Sequence, residues 1–256
     1  MVILKSEALL LRRQAYRNTS ILADLFTRSH GRLSVIAKGA RRPTSDLDGC
    51  LDYGQRIEAV WIDRGQGLGI LTEAAVTGYL PRLRAGARRM AATLLYLRFL
   101  REFLEERQPE PAQFDQAAVW LEGLDRSPAG AARPLFIGGL AGILAQAGFR
   151  PDLNACRLCG RKPVRGLVFE PAADRLVCLD CRPGAVKNEK NCVELSPEAI
   201  MIVMFLQDAT PAVVAGTEPV WRAPGIEAAE RFVTTFAGAI LHKDLGRLSM
   251  GTFHGA

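Results

Sequence analysis

From residue 1 to about residue 80 the chain carries short apolar and β-branched runs separated by turn residues, the spacing of a small barrel or sandwich. Five strands are predicted, at EALLLRR, SILADLFT, GRLSVIAK, QRIEAVWID and GLGILTEAAV. The glycines of RGQGLG between the last two match part of a phosphate-binding fingerprint. A phosphate loop must open a helix, however, and strand-like residues follow here, so this stretch reads as a hairpin turn.

After Pro81 the apolar period lengthens. RRMAATLLYLRFLREFLEER places Met90, Leu94, Leu97, Leu100 and Leu104 on one helical stripe, which Pro109 ends. QFDQAAVWLEGL and the glycine-containing run 135–148 continue the helical pattern, with Gly138 and Gly142 placed to admit a close neighbour. In LSPEAIMIVMFL, Ser196 is positioned to cap a helix and Pro197 to occupy its first turn. IEAAERFVTTFAGAILHK then aligns Ile226, Phe232, Val233, Phe236 and Ile240.

Between these helical stretches lies CRLCGRKPVRGLVFEPAADRLVCLDC, two C-x-x-C pairs with 18 residues between them. Each pair supplies two sulfurs from one tight turn, and two such turns close a tetrahedron of Zn–S bonds near ~2.3 Å. Gly160 suits a turn that aims backbone amides at sulfur. A redox pair would need a single C-x-x-C on a strand-to-helix turn, and a catalytic zinc would leave a position open for water. Four cysteines favour a closed, structural zinc, one per chain. Some of the nearby bases, Arg157, Arg161, Lys162, Arg165, Arg175 and Arg182, are expected to offset its net negative charge. Cys50 and Cys192 read as small apolar fillers.

The 256 residues and 48% apolar content suffice for real cores. The longest apolar run, 135–149, is short and broken by glycine, which predicts no membrane span. Lys5 and Glu7 interrupt what would be the core of a signal peptide, so a cytoplasmic location is expected and disulfides are not. The net charge is +6. Residues 1–90 hold 15 Lys+Arg against 8 Asp+Glu, leaving 18 against 19 for the remainder. A basic N-terminal module on a neutral remainder points to a polyanion, with nucleic acid the leading candidate.

Of the three histidines, His30 sits in a turn, His242 ends a helix and His254 lies near the C-terminus. None belongs to a nucleophile, zinc-protease or Walker motif, so no positive case for catalysis arises. The basic module is richest at HGRLSVIAKGARRPTSDLDG. There Arg32 starts a strand, and Lys38, Arg41 and Arg42 end it and enter the next loop, placed to track a phosphate backbone, with Tyr16 and Tyr53 nearby.

The order of these motifs, a strand ending near Tyr16, then TSILADLFTRSHGRLSVIAKGARR, then helices leading through AGFRPDLNACRLCG into the cysteines, resembles the bacterial RecO family of recombination mediators. The resemblance spans nearly the whole chain and is strongest at 16–42 and 148–181. It implies a three-part α+β protein. An N-terminal OB-fold β-barrel (1–80) binds DNA, an α-helical domain (81–153 and 194–256) follows, and a zinc-binding insertion (154–193) is ligated by Cys156, Cys159, Cys178 and Cys181. It further implies a protein of the RecF repair pathway that is not an enzyme. Such a protein binds single- and double-stranded DNA, contacts it around Arg32, Lys38, Arg41 and Arg42, and anneals complementary strands. It engages RecR and the C-terminal tail of the single-stranded DNA-binding protein SSB, and helps load RecA. The chain departs from the family pattern at Asn18 in YRNTS, at Gly138, Gly139 and Gly142, which leave Arg133 and Phe136 upstream, and at LGRLSM, which is poor in bases. A zinc-ribbon transcription or translation factor binding RNA or polymerase, and an enzyme built on an unrecognised carboxylate pair, are the rival classes.

Overall fold

The structure, a computed structural model, describes residues 1–65, 67–182, 192–217, 225–243 and Met250. Gln66 of RGQGLG, residues 183–191 of the cysteine insertion, most of LGRLSM and His254 lie outside the described residues. The chain divides into two compact units, Met1–Arg126 and Ser127–Ala256.

In the first unit five strands close a barrel in the order β1-β2-β3-β5-β4. They are β1 (Val2–Tyr16), β2 (Ser20–Thr27), β3 (Gly31–Ala37), β4 (Arg56–Asp63) and β5 (Gly69–Gly78), with a short helix α1 (Leu47–Cys50) between β3 and β4. All five predicted strands are present. The first begins earlier than its apolar pattern suggested, because β1 serves two partners. Its N-terminal half pairs with β4, from Val2 opposite Asp63 to Leu9 opposite Arg56, while its C-terminal half pairs with β2. Backbone pairing can extend a strand through VILKSE, whose first side chains are exposed. Parallel pairing of Val35–Ala37 with Gly69–Leu71 and antiparallel β4–β5 complete the closure, the OB-fold arrangement. Inward side chains including Leu10, Ile21, Leu25, Val35, Ile57 and Trp61 fill the barrel. RGQGLG is a hairpin loop, with Gly65 and Gly67 at positive φ.

Two helices complete this unit, α2 (Ala87–Phe103) and α3 (Pro111–Arg126). The α2 stripe is broader than its apolar period indicated. Ala91, Ala92, Thr93, Tyr96 and Phe99 are buried with Leu97 and Leu100, whereas Leu94 is only half-buried. The helix also stops at Phe103, before the expected LEER continuation. Beyond Phe103 the chain runs alongside β3, where the Arg107 N–H donates to the Arg32 carbonyl at 2.8 Å and Glu106 bridges to Arg32. Gly31, at φ +69, admits this segment, since a Cβ there would run into the Gln108 carbonyl.

In the second unit α4 (Ala132–Gln146) is buried on nearly every side, Gly138, Gly139 and Gly142 included, and packs against α5 (Pro197–Asp208) and α7 (Gly225–Ile240). A small antiparallel sheet of β6 (Leu167–Glu170), β7 (Arg175–Cys178) and β8 (Val193–Leu195) lies between α4 and α5 in sequence, with β6 central. Phe169 of β6 packs against Phe232 and Phe236 of α7, with ring centroids at 5.6 and 5.4 Å. The Ser196 hydroxyl accepts the Ala199 N–H at 3.2 Å, capping α5 as its sequence signal indicated. Helix α6 (Pro211–Gly216) follows. At the end of α7, the Lys243 N–H donates to the Gly238 carbonyl and the His242 N–H to that of Ala239, with His242 at φ 51. His242 therefore closes the helix through its left-handed backbone. No helix among the described residues is long and apolar enough to cross a membrane.

Candidate metal centre and nucleic-acid interface

The two cysteine pairs occupy different local structures that backbone bonds bring together. In the first, the Cys156 N–H donates to the Arg161 carbonyl at 3.0 Å and the Gly160 N–H to that of Cys156 at 2.9 Å. This tight loop needs the left-handed backbone that Gly160 adopts at φ +70. The Arg157 N–H then donates to the Leu176 carbonyl at 2.9 Å, setting the loop against β7, whose last residue is Cys178. The turn after β7 carries Cys181, whose N–H donates to the Cys178 carbonyl at 3.1 Å.

The four sulfurs of Cys156, Cys159, Cys178 and Cys181 lie within 4.8 Å of one another, with Cys159 and Cys178 3.8 Å apart. A tetrahedral ion with ~2.3 Å metal–sulfur bonds separates its ligands by about 3.8 Å, so the set fits such an ion. The surrounding amides favour anionic sulfur. Burial pushes the Cys156 thiol up, but N–H groups from Cys178, Cys159 and Leu158 outweigh it and bring the group down to about 6. Hydrogen bonding to the Cys159 and Cys178 sulfurs pushes Cys181 up to about 12, as expected where neighbouring sulfurs compete for negative charge. A cation among them removes that competition, and four sulfurs complete a closed tetrahedral shell, the pattern of a structural site. Cys50 and Cys192 are outside the cluster. Cys50 sits against the barrel core, its thiol 3.3 Å from the Ala74 carbonyl, and burial pushes it up.

The bases around the sulfurs divide into two groups. Arg175 and Arg182 meet the Glu170 carboxylate at 2.6 and 3.5 Å, and Arg165 meets Asp180 at 3.2 Å. Arg157, Arg161 and Lys162 are exposed.

On the barrel, charge is distributed unevenly. Glu7, Asp24, Asp48, Asp52, Glu58 and Asp63 are paired with Arg56, Arg101, Arg13, Arg84, Lys5 and Arg107. Arg107 and a backbone N–H of Gly65 hold the Asp63 carboxyl down to about 2. Lys38, Arg41 and Arg42 are exposed in the loop after β3 and pair with no carboxylate among the described residues. The Arg41 N–H donates to the Thr19 carbonyl at 2.9 Å, so this loop lies against the β1–β2 hairpin. That hairpin adds Arg17, with φ 53 and its guanidinium 5.4 Å from the centroid of the Tyr16 ring, whereas exposed Arg12 of β1 lies opposite Asp24, farther along the strand. Asp46, in the same loop, lies beside Cys50.

Arg32 does not join this group. It starts β3, and its guanidinium donates to the Leu104 carbonyl at 3.0 Å and lies 3.4 Å from Glu106. Tyr53 is a packing residue at the barrel core whose hydroxyl accepts the Arg13 N–H at 3.2 Å. Arg17 is far in the chain from Lys38, so the basic run around Lys38 did not include it. The turn residues RNT at the end of β1 were the available signal that this hairpin tip borders the basic loop.

The comparisons with known proteins agree with this architecture. A family model described as "Recombination protein O N terminal" matches residues 1–80, the barrel, and one described as "Recombination protein O C terminal" matches residues 84–236. The chain belongs to the RecO family. Curated relatives within that family carry the name "DNA repair protein RecO". One from Desulforudis audaxviator is 32% identical over 178 residues, 70% of each chain. Another, from Anaeromyxobacter sp. strain K, is 28% identical over 247 residues, 95% of this chain and 92% of the relative. The RecO model for the C-terminal part runs through the four cysteines, so the metal cluster lies inside the matched region.

Proposed function

We propose that this chain is a non-enzymatic DNA-binding mediator of recombination that works in DNA repair. The observation that supports it most directly is the end of the barrel where Arg17, Lys38, Arg41 and Arg42 face solvent while most of the barrel's acids are already paired. Such a surface attracts phosphates without reading bases, and so accepts both single and double strands. Lys38, Arg41 and Arg42 carry the phosphate contact. Arg32 contributes less, being already bonded to Leu104 and Glu106.

Holding two phosphate backbones on one positive surface screens their mutual repulsion and so speeds annealing of complementary strands. The second unit engages the acidic C-terminal tail of SSB, and together with RecR the protein helps load RecA on SSB-coated DNA. One structural Zn²⁺, held by Cys156, Cys159, Cys178 and Cys181, fixes the insertion without taking part in chemistry.

The test is an annealing assay with two complementary oligonucleotides coated with SSB, followed by fluorescence at two salt concentrations. Acceleration that fades at the higher salt is expected, because each phosphate neutralised releases counterions. A folded, zinc-loaded protein that leaves the annealing rate unchanged would sink the reading.

A further inference from the structure

The cysteine insertion carries a second basic surface that the barrel reading does not use. Arg157, Arg161, Lys162 and Arg165 fall within nine residues of the first cysteine loop, and all four are exposed. Interleaved with them are two apolar side chains left in water, Leu158 at 54% exposure and Val164 at 79%. The loop cannot turn these inward, because it is pinned from behind: the Cys156 sulfur accepts the Leu158 and Cys178 N–H groups at 3.4 and 3.2 Å, and Arg157 is bonded through its backbone to Leu176.

The bases are not all engaged in holding the site together. Arg165 meets Asp180, and Arg157 is close enough to Asp152 to help Asn154 hold that carboxyl below its ordinary range. Arg161 and Lys162 make no side-chain hydrogen bond or ion pair among the described residues. The Arg165–Asp180 pair is solvent-exposed, at 73% and 60%, and contributes little, so a phosphate can replace its carboxylate at small cost.

We propose that this loop, residues 157–165, is a second contact surface for single-stranded DNA, separate from the basic end of the barrel. The inference rests on the DNA-binding reading above. Positive charge alone would suit duplex and single strand equally. The exposed Leu158 and Val164 favour the single strand, because its unstacked bases present apolar faces that a duplex keeps within its stack.

The experiment measures binding of the full-length, zinc-loaded protein to a fluorescent oligothymidylate, and to a mixed-sequence duplex of equal length, across a salt series. The variant Arg157→Ala/Arg161→Ala/Lys162→Ala should keep its zinc and bind the single strand more weakly. Its salt slope should fall by about 2, since each single-strand phosphate contact contributes about 0.7. Leu158→Ser/Val164→Ser should weaken single-strand binding with the duplex and the salt slope unchanged. Should the triple variant lose zinc, Arg161→Lys/Lys162→Arg keeps both charges and should bind as the parent does, while Arg161→Ala/Lys162→Ala should not.

Variants of the 157–165 loop that bind the single strand as the parent does, while Lys38→Ala/Arg41→Ala/Arg42→Ala loses affinity, overturn this proposal and leave the barrel reading intact. If all variants bind alike, both readings fall. Equal losses on single strand and duplex in the Leu158→Ser/Val164→Ser variant overturn the assignment to single strands. Loss of an acidic peptide with DNA binding retained would make the loop a protein-docking surface instead.

Discussion

The barrel and the cysteine insertion are both small β-structures, yet different forces hold them. Barrel strands run 15, 8, 7, 8 and 10 residues, closing through continuous backbone ladders around a core with Leu25 and Val35 fully buried. Insertion strands run 4, 4 and 3 residues, at the short end of the usual range, so their ladders contribute few backbone bonds. Its β6 gains support from Phe169 against α7, but the loop 156–166 is held mainly by turns converging on sulfur. The barrel should therefore depend on apolar volume and the insertion on metal chemistry, and each should be breakable without the other.

The largest effect should come from taking the metal away. Zinc binding by four thiolates contributes about 10–16 kcal/mol of apparent folding free energy in small zinc modules. Chelation, or Cys178→Ser, should abolish the roughly one zinc per chain. Hydrogen exchange should show amide protection collapsing from Arg157 through Cys178 while the β1–β2 and β4–β5 ladders keep theirs. Full protection of the 156–178 amides in metal-free protein would mean that the sheet sustains itself and that the contrast is wrong.

On the other side of the comparison, Trp61→Ala empties the centre of the barrel. Trp61 is 1% exposed and meets the His30 ring edge-on at 5.2 Å. Large-to-small changes of this kind cost about 3–5 kcal/mol. Urea denaturation should register that loss with zinc content unchanged. A drop in zinc stoichiometry would show the two regions coupled.

The same contrast explains which features were legible in the sequence. C-x-x-C spacing is a local code for a local structure, so the sulfurs converge where the two pairs predicted. The barrel strands were readable because turn residues bound them, although β1 begins before its apolar pattern, whereas β6, β7 and β8 were not among the predicted strands. What the sequence hid was pairing at a distance. Nothing in LEERQP announces that Arg107 will bond to Arg32, which shortens α2, and Arg17 joins Lys38 only because the β1–β2 hairpin tip packs against the loop after β3. The α2 stripe was misplaced for a related reason. Small residues such as Ala91 and Ala92 are buried by their neighbours, and an apolar period weights them lightly.

A third change probes that hidden pairing. Gly31→Ala forces a side chain into φ +69 and against the Gln108 carbonyl. The backbone conformation alone should cost about 1–3 kcal/mol. Exchange of the Arg107 amide, which donates to Arg32, should accelerate before that of any barrel strand. If global stability falls while that amide stays protected, the segment after α2 is not the site of strain.

The smallest expected effect falls at the boundary of the insertion. Ser196 follows β8 directly and caps α5 through its bond to Ala199, so it joins the small sheet to the helices. Removing an N-cap hydroxyl costs about 1 kcal/mol. In zinc-loaded protein, Ser196→Ala should lower the denaturation free energy by that amount. Repeating the measurement after chelation closes a double cycle between cap and metal. An undiminished cost in metal-free protein would place Ser196 with the helices and end the metal's influence before residue 196. A vanished cost would mean that β8 must be ordered for the cap to form, extending the metal's reach into the first turn of α5. The short ladder of β8, three residues paired with β6, favours the first outcome, since α7 also packs against β8 and can hold it in place.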